Sequence, residues 1–184
     1  MALWAQTGPV TVTLSAPVKG PVELLIRNHS PAAVTAYAVT LRYAAGENIG
    51  TRDVIWDSAL ELTTPAIEAH QAAVRRMPVP PANPSVALRA VVFADGRSSG
   101  EAAWVARILS QRRFALATID ELRQALPTAK PEELEAARRE KLAAADPEQK
   151  PLVEAYYRLA TPQHARDLEL LRLRLAGSLP PSVN

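Results

Sequence analysis

The feature that most constrains this chain is a change of punctuation near residue 100. Upstream, β-branched and aromatic residues form short alternating runs between Pro, Gly, Asn and Ser clusters. Downstream, apolar residues recur every three or four positions, and Pro127, Pro131, Pro147, Pro151 and Pro162 divide the pattern. Side chains alternate across a strand and spiral around a helix, so period two marks a half-buried strand and a period near 3.6 a helix face. The chain therefore reads as α+β, with strands collected first and helices second.

In the first part, residues 10–14 alternate cleanly, and residues 16–21 form a turn. Residues 22–27 form a second strand that ends at Asn28-His29-Ser30-Pro31. Residues 34–44 form a long strand with Tyr37, Val39, Leu41 and Tyr43 on its core face and Ala36, Ala38, Thr40 and Arg42 on the other. Residues 46–50 read as a loop, 52–57 as a short strand and 66–76 as another. The proline-rich segment 77–84 cannot sit inside a sheet, because proline has no N–H for the ladder. Residues 86–93 are strongly apolar and suit a central strand. Strands joined by short turns, with no helices between them, predict an antiparallel immunoglobulin-like β-sandwich of roughly six or seven strands over residues 1–100.

Residues 101–184 then form a helical region of three or four helices, packing on the sandwich or extending from it. Trp104, Ile108, Ala115, Ile119, Leu122 and Leu126 make one stripe, which Pro127 ends. Pro131 with Glu132 and Glu133 starts a second helix, since proline tolerates the first turn and acids favour the positive helix end. Asp146-Pro147-Glu148-Gln149 carries the N-cap pattern of a third, although Pro151 fits that start poorly and points to a shifted one. Thr161-Pro162 opens a last helix that should stop at Gly177, leaving residues 178–184 frayed. Glu135–Arg139 and Glu154–Arg158 have the spacing of ion pairs on solvated faces. No heptad pattern runs long enough for a coiled coil, and no internal repeat is present.

Charge weighs against a nucleic-acid surface. Net charge is +2; residues 1–100 hold 8 basic and 7 acidic groups, residues 101–184 hold 13 and 12, so neither part is a basic domain. The pairs Arg75-Arg76, Arg112-Arg113 and Arg138-Arg139 lack interleaved aromatics and read as solvated. The chain has no cysteine, which removes disulfides, thiol catalysis and thiolate metal sites. No apolar run reaches the length of a membrane span. Residues 1–9 are too short for an intact signal peptide, but Trp4-Ala5 before Gln6 suits the end of a cleavage site; an ordinary chain start suits them equally.

Residues 93–104, FADGRSSGEAAW, look most like a site. A calcium loop would need oxygen ligands where Arg97, Ser98 and Ser99 stand. An anion cradle at the helix start would be opposed by Glu101. The stretch reads best as a joint: Asp95-Gly96 supplies a positive-φ turn, and Ser98 or Ser99 caps the helix that carries Trp104. His29, His70 and His164 share no metal-binding spacing. No nucleophile elbow and no phosphate loop is present. Asn28-His29-Ser30 matches a glycosylation sequon, but Pro31 follows it directly. No cofactor, metal or catalytic residue is assigned. The candidate partner contacts are Trp56, Tyr156 and Tyr157, because aromatics at an edge support protein binding. The simpler expectation for them is packing between the sheet and the helical part.

Residues 22–28, the Ser-Pro turn and residues 34–41 together resemble the strand, Asn-x-Ser, strand core of secreted bacterial immunoglobulin-like domains, including the FxLYD-type group. At the position of the FxLYD signature this chain reads Leu41-Arg42-Tyr43-Ala44-Ala45-Gly46. Phe93-Ala94-Asp95-Gly96 with Gly100 resembles a turn of uncharacterised acidobacterial-type secreted proteins in which helices follow. The likeness covers residues 9–110. It implies an exported, extracellular or periplasmic module that is not an enzyme and binds or scaffolds a protein partner. A hydrolase assembled from scattered carboxylates and His70 is one alternative, and a nucleic-acid or anionic-surface binder a second. Oligomeric state has no signal in the sequence.

Overall fold

The computed structural model describes residues 3–15, 21–45, 48–77 and 83–180. Among these the chain is α+β, with eight strands followed by four α-helices. The strands are β1 (Leu3–Thr7), β2 (Val10–Ser15), β3 (Val22–Asn28), β4 (Val34–Ala45), β5 (Asn48–Asp57), β6 (Ala72–Met77), β7 (Ser85–Phe93) and β8 (Ser98–Gly100). The helices are α1 (Ala102–Ala125), α2 (Pro131–Ala144), α3 (Lys150–Leu159) and α4 (Ala165–Ser178), with a 3-10 turn, Pro162–His164, before the last. The chain divides into two compact units: Met1–Ser58 with Thr63–Ile108, and Ala59–Leu62 with Leu109–Asn184.

The first unit holds two four-stranded antiparallel sheets, ordered β1-β2-β3-β6 and β5-β4-β7-β8. Alternation builds its core. Val10, Val12 and Leu14, then Leu24 and Ile26, then Val39 and Leu41, are buried and contribute to one cluster with Val91 and Phe93. Strand β4 is buried on its second face too. There Ala36 and Ala38 join Ala90 and Val92, and Trp104, Val105 and Ile108 from the start of α1 pack on them. Methyl-sized side chains let a helix backbone approach a sheet closely, which explains alanine at these positions.

Three local expectations change. The loop expected at 46–50 gives way to β5 from Asn48, which pairs with β4 from Ala45↔Asn48 to Ala36↔Asp57. The strand expected over 66–76 begins only at Ala72, because His70 adopts a left-handed φ of 60° and the chain turns there. Residues 3–7, to which no element was assigned from the sequence, form β1, which pairs with β2. Ser98 and Ser99 do not cap a helix; they lie in β8, which pairs with β7, and the helix starts on the Glu101 carbonyl, which accepts from Trp104 and Val105. Gly96 does supply the positive-φ turn, at 83°. The turn expected over 16–21 falls almost wholly outside the described residues, as do 78–82 of the proline-rich segment and 181–184 of the tail.

Asn28 ties the unit's loops together. Its side chain is buried, and Nδ2 donates to the carbonyls of Ala32, Ile67 and Glu68 at 2.8, 3.1 and 3.0 Å. Its Oδ1 accepts from Ser30 N and Oγ at 3.0 and 2.7 Å. The amide nitrogen that a glycan would modify is thus occupied in the folded protein.

In the second unit, the stripe expected on α1 is largely as read: Ala115, Ile119 and Leu122 are buried with Tyr156, Leu168, Leu171 and Leu175. The short segment Ala59–Leu62 joins this core, where the Leu60 carbonyl accepts from Tyr156 Oη at 3.1 Å. Helix α3 starts at Lys150 rather than at Pro147, because Pro151 has to occupy the first turn. Helix α4 runs through Gly177 to a buried Ser178, whose Oγ donates to the Leu175 carbonyl at 2.8 Å, so the frayed tail does not begin there. Arg112, read as solvated, is 0% exposed. It falls on the stripe between Ile108 and Ala115, and its Nη1 donates to the Ser178 carbonyl at 2.9 Å. A guanidinium there meets the negative end of α4.

Candidate functional site

The three candidate contact aromatics have different surroundings. Trp56, on the edge strand β5, is half-buried in the sheet core and lies against Tyr37, with ring centroids 5.1 Å apart. Tyr156 is 1% exposed, so its ring offers no surface. Tyr157 is half-buried and lines two shallow grooves. One, of about 310 Å³, is bordered by Glu121, Ala137, Glu140, Lys141 and Ala144. The other, of about 210 Å³, is bordered by Pro131, Leu134, Glu135, Arg138 and Ala160.

Local chemistry fixes the groove walls. The Glu133 carboxylate accepts from the Lys130 backbone N–H at 2.9 Å, which holds the start of α2. Lys141 Nζ bonds both carboxylate oxygens of Glu121, at 2.6 and 2.8 Å, and lies 5.5 Å from the Phe114 ring centroid. Arg138 reaches Glu135 at 2.8 Å and both oxygens of Glu154 at 2.7 and 2.8 Å. The Glu154–Arg158 pair expected from spacing is replaced by this bond between helices, while Arg158 Nε donates to the Glu154 carbonyl. Glu135–Arg139 is present, at 3.0 Å. A bidentate guanidinium holds two carboxylates better than an i,i+4 contact holds one.

Burial, helped by Glu121 and Glu140, raises the Tyr157 phenol above its ordinary value, so its hydroxyl stays a donor at neutral pH. Glu135 is held down to about 2, chiefly by the Arg138 hydrogen bond and then by Arg139. Its folded value lies below its ordinary 4.5. The pairing therefore favours the fold above that pH and is lost as pH falls toward 2. Because Glu135 faces solvent, salt should weaken the effect. In a carbon-detected NMR titration Glu135 should titrate near 2. Arg138→Gln should return it toward the ordinary carboxylate range; an unmoved midpoint would contradict the assigned cause.

The histidines do not converge on these grooves. His29 Nε2 lies 3.1 Å from Thr11 Oγ1, and His164 Nδ1 lies 2.8 Å from Thr161 Oγ1. His70 is exposed in its left-handed turn. Among the described residues, no three His, Asp or Glu side chains gather as a metal site. No described helix is long and apolar enough to cross a membrane. At residues 93–104, the Asp95 carboxylate accepts from Arg97 N and Nε at 3.1 and 2.8 Å, which closes the turn.

Sequence reasoning named Tyr157 but missed the Arg138 clamp and the Lys141–Glu121 pair that frame it. Both join residues far apart in sequence, and only the mixture of acids and bases on α1, α2 and α3 hinted at them. No family model, curated protein or solved structure matches the chain.

Proposed function

We propose that this protein is a non-catalytic binding or scaffolding module, exported to the periplasm or cell exterior, that holds a protein partner through the Tyr157 surface. The observation that carries this reading is the placement of Tyr157 between two shallow grooves with charged walls. A half-buried tyrosine offers a large contact at low entropic cost, plus a hydroxyl for one directed bond. The partner's contribution is an apolar side chain flanked by polar groups that meet Glu140 and Arg138.

The immunoglobulin-like part of the proposal draws support from strand order. Consecutive strands β3 and β4 lie in different sheets, β6 returns beside β3, and β7 returns beside β4. That is a Greek-key arrangement of the kind found in immunoglobulin-like sandwiches. Export rests on the resemblance of residues 9–110 to secreted domains.

Ala137 is exposed and borders the first groove, so arginine there obstructs it without disturbing the core. With the partner isolated on the full chain, Ala137→Arg should weaken binding about tenfold or more at unchanged melting temperature. Unchanged affinity, or steady turnover of a substrate by the purified protein, would overturn the proposal.

A further inference from the structure

We propose that the exposed face of α4 docks a second copy of this chain, so that two copies pair through antiparallel α4 helices. Leu170 and Leu173 form the apolar seam, and Asp167 of each copy meets Arg174 of the other.

Helix periodicity sets the face. Leu168, Leu171, Leu175 and Ser178 share the buried side of α4. Arg166, Leu170, Leu173 and Gly177 follow one another by four, three and four residues and lie on the opposite, exposed side. Leu170 and Leu173 are 46% and 55% exposed. They stand one turn apart, so their apolar surfaces adjoin and burying them against a matching surface is favourable. A Cβ built on Gly177 meets nothing within 4 Å, so the space beyond it is open.

The spacing is that of a short coiled-coil seam, less than two heptads long. An antiparallel pair with its axis between Leu170 and Leu173 sets each Leu170 against Leu173 of the other copy. The same register sets Arg166 against Gly177, where the glycine leaves room for the methylene stem of the arginine.

Charge selects a second copy in this orientation. Glu169 is held by Arg123 and Arg172 by Asp120, both within the chain. Asp167 has no hydrogen bond or ion pair among the described residues. Arg174 Nη1 donates to the Glu61 carbonyl at 3.1 Å, and a guanidinium has further N–H groups for a second acceptor. Asp167 and Arg174 lie on one flank of the face, about 10 Å apart along the axis, too far to pair within one helix. Like flanks meet in an antiparallel pair, and the register that opposes the leucines also brings Asp167 of each copy beside Arg174 of the other. The contact is thus self-complementary, as a twofold interface requires. A parallel pair would set Arg166 against Arg166 and would offer Arg174 a carboxylate, Glu169, that Arg123 already holds.

The test is sedimentation equilibrium of the full chain from about 10 μM to about 1 mM, because so small a contact gives a weak association. The chain should pass from monomer toward dimer as concentration rises, and less readily in high salt. Leu173→Glu should weaken association about tenfold or more, with the melting temperature of the dilute protein unchanged. Asp167→Arg alone and Arg174→Asp alone should each weaken it about tenfold, because each variant then opposes like charges twice. An equal mixture of these two variants should recover the original association, since every contact between position 167 of one and 174 of the other again joins opposite charges. Circular dichroism checks that each variant is folded. A chain that stays monomeric throughout, association that survives Leu173→Glu, or a mixture of the folded variants no stronger than either alone would overturn the proposal. None of the residues bordering the Tyr157 grooves lies on α4, so this surface and that one can fail separately.

Discussion

Replacing Gly100 by valine should cost about 3 kcal/mol or more, from backbone strain and overpacking together. Gly100 adopts a φ of 109°, which a side chain with a Cβ rarely adopts. A Cβ built there would run into the Arg89 carbonyl oxygen and stand 2.8 Å from Ala90 Cα. Those atoms are backbone of β7 and cannot swing aside. The Arg89 carbonyl also accepts from Glu101 N at 2.8 Å, one residue before α1 begins. The variant should therefore loosen β8 and the start of α1 together. Gly96 provides the control. Its φ is 83° but nothing lies within 4 Å of an added Cβ, so Gly96→Ala should cost only about 1 kcal/mol. Urea unfolding of the two variants compares them directly. Equal losses would mean that the contact with β7 does not matter.

Arg112→Ala should be the most damaging change in the helical unit, at about 3–4 kcal/mol. The arginine is one of the largest fully buried side chains. Truncation opens a cavity and strips the Ser178 carbonyl of its donor at the end of α4. Arg112→Lys should restore little, because an ammonium cannot reproduce a planar fork of donors. Hydrogen exchange should localise the loss to the last turn of α4. If Arg112→Ala unfolded at the wild-type denaturant midpoint, the buried arginine would have no structural role.

The order of strands and helices was legible in the sequence because hydrophobic period is a local property. The stripe on α1 and the alternation of β2, β3 and β7 emerged at nearly their observed bounds. Three kinds of feature did not. Arg112 shares its helical phase with Ile108 and Ala115, but a charged residue in a stripe reads as an edge until its distant carbonyl is known. Ala36 and Ala38 look like the free face of a strand, since alanine is equally at home exposed and under a helix. The start of β6 depends on the left-handed turn at His70, and histidine carries no strong turn signal. Of the candidate contacts, Tyr156 and Tyr157 are adjacent and alike in sequence, yet helix geometry buries one and leaves the other between the grooves.

The central claim, that the Tyr157 surface holds a protein partner, is tested most directly by photo-crosslinking. A photoreactive phenylalanine would replace Tyr157 in the full chain, with the same residue at the exposed Ala143 as reference. In an extract of the source organism, position 157 should yield one discrete adduct that Ala137→Arg suppresses and position 143 does not form. The same pattern at both positions, or no adduct at 157, would contradict it.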